Sequence, residues 1–161
     1  MSKKIKVLFI CLGNICRSPM AENIFRQMVA DAGLSDKIEV DSAGTAGYHV
    51  GNPPHPGTRS ILAQYNIQCT GRSRQVSHSD LQANNSWIIA MDHSNMRDLQ
   101  RLQSSHQNMH LLLKFADLAL APADLNVPDP YYTGNFEAVY QLVTSGCAGL
   151  LTEITKQEAL L

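Results

Sequence analysis

Cys11-Leu12-Gly13-Asn14-Ile15-Cys16-Arg17-Ser18-Pro19 puts a thiol and a guanidinium at the two ends of one short loop. A thiolate is a nucleophile, and a guanidinium grips oxyanions with paired N–H donors. Together they suit attack by sulfur on phosphorus. Cys11 would be the nucleophile and Arg17 would hold two phosphoryl oxygens. The backbone amides of Leu12, Gly13, Asn14, Ile15, Cys16 and Arg17 would hold the rest. The spacing alone proves little, because 4 Cys and 7 Arg in 161 residues give such a pair by chance about one time in six.

The flanking sequence supplies the frame. Ile5, Val7, Leu8, Phe9 and Ile10 form a nearly continuous apolar run rich in β-formers, as expected of a parallel strand buried on both faces. Beyond the loop, Pro19 suits the first helical position. Ile24, Met28 and Val29 then recur with Ala21, Phe25 and Ala32 at helical spacing, until Gly33 offers a stop. Ser18 either caps that helix or gives its hydroxyl to the Cys11 sulfur. The loop thus falls at the carboxyl end of a strand and the positive end of a helix, where unpaired N–H groups and the helix dipole favour an anion.

A departing oxygen also needs a proton. Asp129, between Pro128 and Pro130, is the candidate acid: the following proline biases it to an extended conformation, and a bound phosphate dianion beside it favours the protonated carboxyl. Tyr131 and Tyr132 follow directly and can wall an aryl group.

The rest of the chain alternates apolar strand signals at 38–41, 87–91 and 111–115 with helical patterns at 58–65 and 96–102. A last helix carries Phe136, Val139, Tyr140, Val143, Cys147, Leu150, Leu151 and Ile154. This alternation predicts an α/β doubly wound sheet in a single domain, residues 1–161, with ligands bound beyond the strands' carboxyl ends. The loop carrying Pro122, Pro128 and Pro130 is too long for a plain connector, which points to function.

Hydrophobic content of 44% and a net charge of −1 fit a globular protein and argue against a nucleic-acid footprint. Lys3, Lys4 and Lys6, and then Arg72 and Arg74, read as solvated faces. The leading apolar run is too short for a signal peptide, and no stretch reaches the ~18 apolar residues of a membrane span. Four irregularly spaced cysteines do not make a disulfide framework, so a cytoplasmic location is expected. Cys69 and Cys147 read as core. Cys16 reads either as packing or as a redox partner that forms a disulfide with Cys11. Asp92 reads as a helix-start or bracing residue. His106 and His110 have metal-ligand spacing, but Gln107 stands where a zinc hydrolase needs glutamate, so no metal site is expected.

The loop from Cys11 to Pro19, together with Asp41-Ser42-Ala43-Gly44-Thr45, Met91-Asp92, Ser94-Asn95 and Asp129-Pro130-Tyr131-Tyr132, resembles the low-molecular-weight protein tyrosine phosphatases along essentially the whole chain. The resemblance implies a four-stranded parallel sheet flanked by helices and a two-step hydrolysis of phosphotyrosine proteins or aryl phosphates without cofactor. Cys11 would become a phosphocysteine, and Asp129 would act as acid and then as base. It implies further that Asn14, Ser18 and Ser42 brace the loop and that Ser18 assists the thiolate. Tyr48 would form one wall of the cleft, phosphate-like oxyanions would inhibit, and the protein would be a monomer or weak dimer. Gly71 stands where many relatives carry a histidine that helps hold the loop asparagine, which leaves Asn14 with fewer partners.

Protein-arginine phosphatases share the loop but tend to carry threonine where Ile15 stands and lack the tandem tyrosines. Arsenate reductases of this fold need downstream cysteines, whereas only Cys69 and Cys147 lie beyond the loop here. A non-catalytic phosphate-binding module would leave Cys11 and Asp129 without a use.

Overall fold

A computed structural model describes residues 4–103 and 106–160; Lys3 lies outside them. Four parallel strands, β1 (Ile5–Cys11), β2 (Ile38–Gly44), β3 (Ser86–Ala90) and β4 (Met109–Leu111), form one sheet in the order β2-β1-β3-β4. Among the described residues six helices surround it: α1 (Arg17–Asp31), α2 (Pro56–Gln64), α3 (His78–Gln82), α4 (His93–Leu102), α5 (Pro130–Thr133) and α6 (Phe136–Gln157). Alternation along β1 feeds two cores. Val7 and Phe9 point to the face shared with Phe25, Leu62, Val143 and Leu150, whereas Leu8 and Ile10 meet Leu81 and Leu99 on the other. The doubly wound α/β reading therefore holds.

Two boundaries differ from the sequence reading in ways that matter for the site. β2 runs on past Asp41 to Gly44, pairing Ser42 with Phe9 and Gly44 with Cys11, which brings the Ser42 hydroxyl to the phosphate-loop end of the sheet. The fourth strand is Met109–Leu111; Leu112–Phe115, read as strand, is a 3₁₀ turn. A short buried apolar run does not distinguish strand from helix by periodicity. Here α6 decides: a Cβ on Gly149 would lie 1.8 Å from the Phe115 carbonyl oxygen, so the turn packs directly on helix backbone.

Acid partners meet Lys6 and Arg74, whereas Lys4 and Arg72 are exposed and donate to backbone carbonyls, Lys4 to that of Ser35. Lys6 lies 4.0 Å from Asp80, Arg74 pairs with both Asp41 and Asp80, and Arg72 donates to the Gly51 carbonyl. His110 packs between Trp87 and Phe115. Cys147 is fully buried, but Cys69 is only half-buried at the core's edge. Among the described residues no helix is long and apolar enough to cross a membrane.

Candidate active site

Residues 11–17 turn from the end of β1 into α1, and neighbouring segments claim the carbonyls of this loop one by one. Cys11 and Leu12 carbonyls accept from the Thr45 and Ala46 amides, at 2.9 and 3.0 Å. The Gly13 carbonyl accepts from Ser73 Oγ at 2.9 Å, that of Ile15 from the His55 amide at 2.7 Å, and that of Cys16 from Thr58 Oγ1 at 3.1 Å. With its carbonyls drawn outward, the loop has N–H groups left for its concave side. The Asn14 amide displays this, pointing at Cys11 Sγ from 3.3 Å.

Cys11, the last residue of β1, lies at the floor, 3% exposed. Ser18 does not cap the helix; Cys16 holds that position, and Ser18 Oγ sits 3.0 Å from Cys11 Sγ. The direction of that bond follows from Asn14. Its Nδ2 donates to Ser18 Oγ at 2.7 Å and to Ser42 Oγ at 2.9 Å, so each serine keeps its own hydrogen for another acceptor. Ser18 offers its hydrogen to sulfur, and Ser42 donates to Glu22 Oε1. Glu22, 6% exposed, is held in turn by Arg26.

Asn14 has φ 57, a left-handed conformation that asparagine tolerates better than most residues. Gly71 offers it no side-chain partner, yet the asparagine is fully bonded. Its Oδ1 accepts the Arg74 amide at 3.0 Å, so both ends of the amide are engaged without a histidine. Gly71 instead lies over Glu22, where a Cβ would sit 3.5 Å from Oε2. The side chains of Asn14 and Ser18, residues only 2% and 0% exposed, bond to one another behind the loop.

Arg17 is 3% exposed and firmly placed: Nη1 donates to Asp92 Oδ2 at 2.6 Å and to the Val127 carbonyl at 2.9 Å. Burial opposes its charge, but Cys11, Asp92 and Asp129 outweigh that and hold the guanidinium more firmly protonated than usual. Asp92 also caps α4 through Oδ1, so it is both helix start and brace. Asp129 caps α5 by accepting the Tyr131 amide at 3.1 Å, and its Oδ2 lies 3.6 Å from Arg17 Nη2. Burial, then the negative charges of Asp129 and Cys11, push the Cys16 thiol up to about 12. Cys16 is therefore a protonated, slow nucleophile.

These groups share a cleft of about 220 Å³ with Leu12, Gly13 and Ile15 on the floor and Tyr48, His49, Tyr131 and Tyr132 around the mouth. The cleft thus joins a thiol, an amide-lined bowl, a buried guanidinium, a carboxyl and aromatic walls. Such groups can attack a phosphoester and stabilise its charge, and the aromatic walls can flank a flat leaving group. Glu22, Arg74, His49 and His55 were missed from sequence. Glu22 left one trace there: it stands four residues after Ser18 on the same helix, hence on one face.

Comparison with known proteins shows the family. The family model "Low molecular weight phosphotyrosine protein phosphatase" matches residues 6–160, and the chain belongs to that family of phosphatases. Low molecular weight protein-tyrosine-phosphatase YfkJ of Bacillus subtilis is 50% identical over 160 residues, covering 97% of this chain and 99% of that one. The YfkJ crystal structure superposes with a TM-score of 0.90 over 97% of this chain and 98% of its own. PtpA of Staphylococcus saprophyticus is 42% identical over 157 residues, 97% of each chain. A Drosophila arginine phosphatase also superposes, with a TM-score of 0.80 at 32% identity over 92% of this chain and 96% of its own.

Proposed function

We propose that the chain hydrolyses phosphotyrosine in proteins through a phosphocysteine intermediate. In the first step Cys11 sulfur attacks phosphorus, the S–P bond forms, and the P–O bond to the phenol breaks as Asp129 gives its proton to the departing oxygen. In the second, Asp129 takes a proton from water, the water oxygen attacks phosphorus, and the S–P bond breaks to return the thiolate and inorganic phosphate. Arg17, fixed by Asp92 and Val127, turns its free edge to two phosphoryl oxygens while the loop amides take the charge that spreads in the transition state.

The observation that carries this reading is the pair of donors aimed at Cys11 sulfur, Ser18 Oγ at 3.0 Å and the Asn14 amide at 3.3 Å. Such bonds stabilise an anionic sulfur and have little purpose around an inert thiol. Asp129 Oδ2 faces Arg17 Nη2 across 3.6 Å. A phosphoryl group seated in the bowl would bring its negative charge against that carboxyl and favour its protonated form.

Replacing Cys11 with Ser should abolish turnover of p-nitrophenyl phosphate while keeping phosphate binding. Asp129→Asn should slow esters of weakly acidic phenols far more than p-nitrophenyl phosphate. Undiminished turnover after Cys11→Ser would end the proposal. The arginine-phosphatase reading gains from the Drosophila likeness, yet Ile15 and the tyrosine walls favour an aryl ester. Faster hydrolysis of phosphoarginine than of phosphotyrosine peptides would reverse that order.

A further inference from the structure

We propose that His55 is a positioning residue for aryl recognition, tying the aromatic wall of the cleft to the phosphate loop. This rests on the phosphotyrosine reading above. The residue lies in Asn52-Pro53-Pro54-His55-Pro56-Gly57, where prolines on both sides leave the backbone few alternatives. Its amide donates to the Ile15 carbonyl at 2.7 Å, so its main chain is part of what shapes the anion-binding loop.

Its side chain looks the other way. Nδ1 accepts the Gly57 amide at 3.0 Å, capping α2 and leaving the ring proton on Nε2. The ring then stacks on Phe136, with centroids 5.2 Å apart and planes at 20°, and meets Tyr131 edge-on at 6.1 Å and 74°. Gly57 makes the stack possible, because any Cβ there would fall 2.4 Å from the Phe136 ring. Phe136 opens α6, so the imidazole is clamped between a rigid helix end and the wall.

Tyr131 needs such support. It is 53% exposed, too open for burial to fix its ring, and its aromatic neighbours are His55, His49 and Tyr132. Its amide is also the one that Asp129 accepts, so a displaced Tyr131 would disturb the carboxyl as well. The contact seen from His55 therefore bears on leaving-group binding, while its backbone bears on phosphate binding.

The bland alternative is that His55 only caps a helix, and two variants separate the roles. His55→Asn keeps a strong cap and removes the ring; His55→Phe keeps an aromatic ring and removes the cap. If the ring positions the wall, His55→Asn should melt near the parent temperature, and its loss should fall on KM for p-nitrophenyl phosphate, raised about three- to tenfold. His55→Phe should melt lower yet recover most of that KM.

Calorimetry in the Cys11→Ser background reads the same effect without turnover. There a phosphotyrosine peptide should bind about three- to tenfold more weakly with Asn at position 55, while inorganic phosphate binds as before. An unchanged KM in His55→Asn, equal weakening of peptide and inorganic phosphate, or failure of Phe to recover KM would each overturn the proposal. Failure of the phosphatase reading would show separately, as turnover that survives Cys11→Ser.

Discussion

Asn14 offers the sharpest test of how the loop is held, because side-chain bonding and backbone conformation can be removed separately there. Truncating the side chain orphans the Arg74 amide, which now donates to Oδ1 at 3.0 Å. A buried donor left unpaired costs about 1–3 kcal/mol, and this amide is part-buried, so about 1–2 kcal/mol applies. Ser18 and Ser42 each lose one donor but keep a second partner, Cys11 and Glu22, so each adds only about 0.5–1 kcal/mol. Asn14→Gly should therefore destabilise by about 3 kcal/mol. Asn14→Ala carries a further penalty of about 1 kcal/mol, because φ is 57 and alanine, unlike glycine, is strained in the left-handed region.

The assay is urea unfolding of both variants with the slope checked for constancy, alongside kcat/KM on p-nitrophenyl phosphate. We expect Gly to be the milder substitution in stability and both to lose about ten- to a hundredfold in kcat/KM, equivalent to about 1.4–2.7 kcal/mol of transition-state binding. Adding Glu22→Gln completes a cycle: if Glu22 acts through Ser42 on Asn14, that change should cost less once Asn14 is gone. Equal unfolding midpoints for Ala and Gly, both within about 0.5 kcal/mol of the parent, would refute the reasoning, since neither hydrogen bonding nor φ would then matter.

Two further outcomes follow from the packing and the charges. Gly149→Ala would ordinarily gain about 1 kcal/mol in a helix, yet a Cβ 1.8 Å from the Phe115 carbonyl forces backbone apart, so a net loss of about 1–3 kcal/mol is expected in urea unfolding. Burial works against the Asp80 charge, but Arg74 and the Ser77 amide and hydroxyl outweigh it and hold the carboxyl below its ordinary 3.8. A lowered carboxyl stabilises the fold above that ordinary value and loses its contribution as pH falls through the folded one. Asp80→Asn should thus be less stable than the parent at pH 7 and converge on it in strong acid, read as urea midpoints across the range.

How much of this was visible beforehand depends on how local the signal is. Cys11, Arg17 and the strand–loop–helix around them are contiguous, so β-forming residues, Pro19 and spacing located them. Asp129 was found because proline on each side is a local constraint with a direct conformational meaning. Glu22 and Arg74 escaped because their roles are made by residues from other segments: the Glu22 carboxylate matters only since β2 extends to Ser42, and the Arg74 amide only since residues 71–75 pass behind Asn14. Likewise Ser18 had two open roles until Cys16 proved to be the cap. The 3₁₀ turn at Leu112–Phe115 was misread because its cause, two glycines of α6 that admit it closely, lies some thirty residues away.

The charges around Arg17 bear on why this site needs an acid and not merely a bowl. One buried guanidinium already faces Asp92 at 2.6 Å, Asp129 at 3.6 Å and the Cys11 sulfur. A phosphate dianion entering beside an ionised Cys11 would crowd still more negative charge around that single cation. The loop amides and the positive end of α1 offset part of this, but a helix end contributes only about half a charge. Asp92 is tied to both Arg17 and the Asn95 amide, whereas Asp129 accepts one amide and stands farther from the guanidinium. On the proposed mechanism, the carboxyl left free to serve the departing oxygen is therefore Asp129.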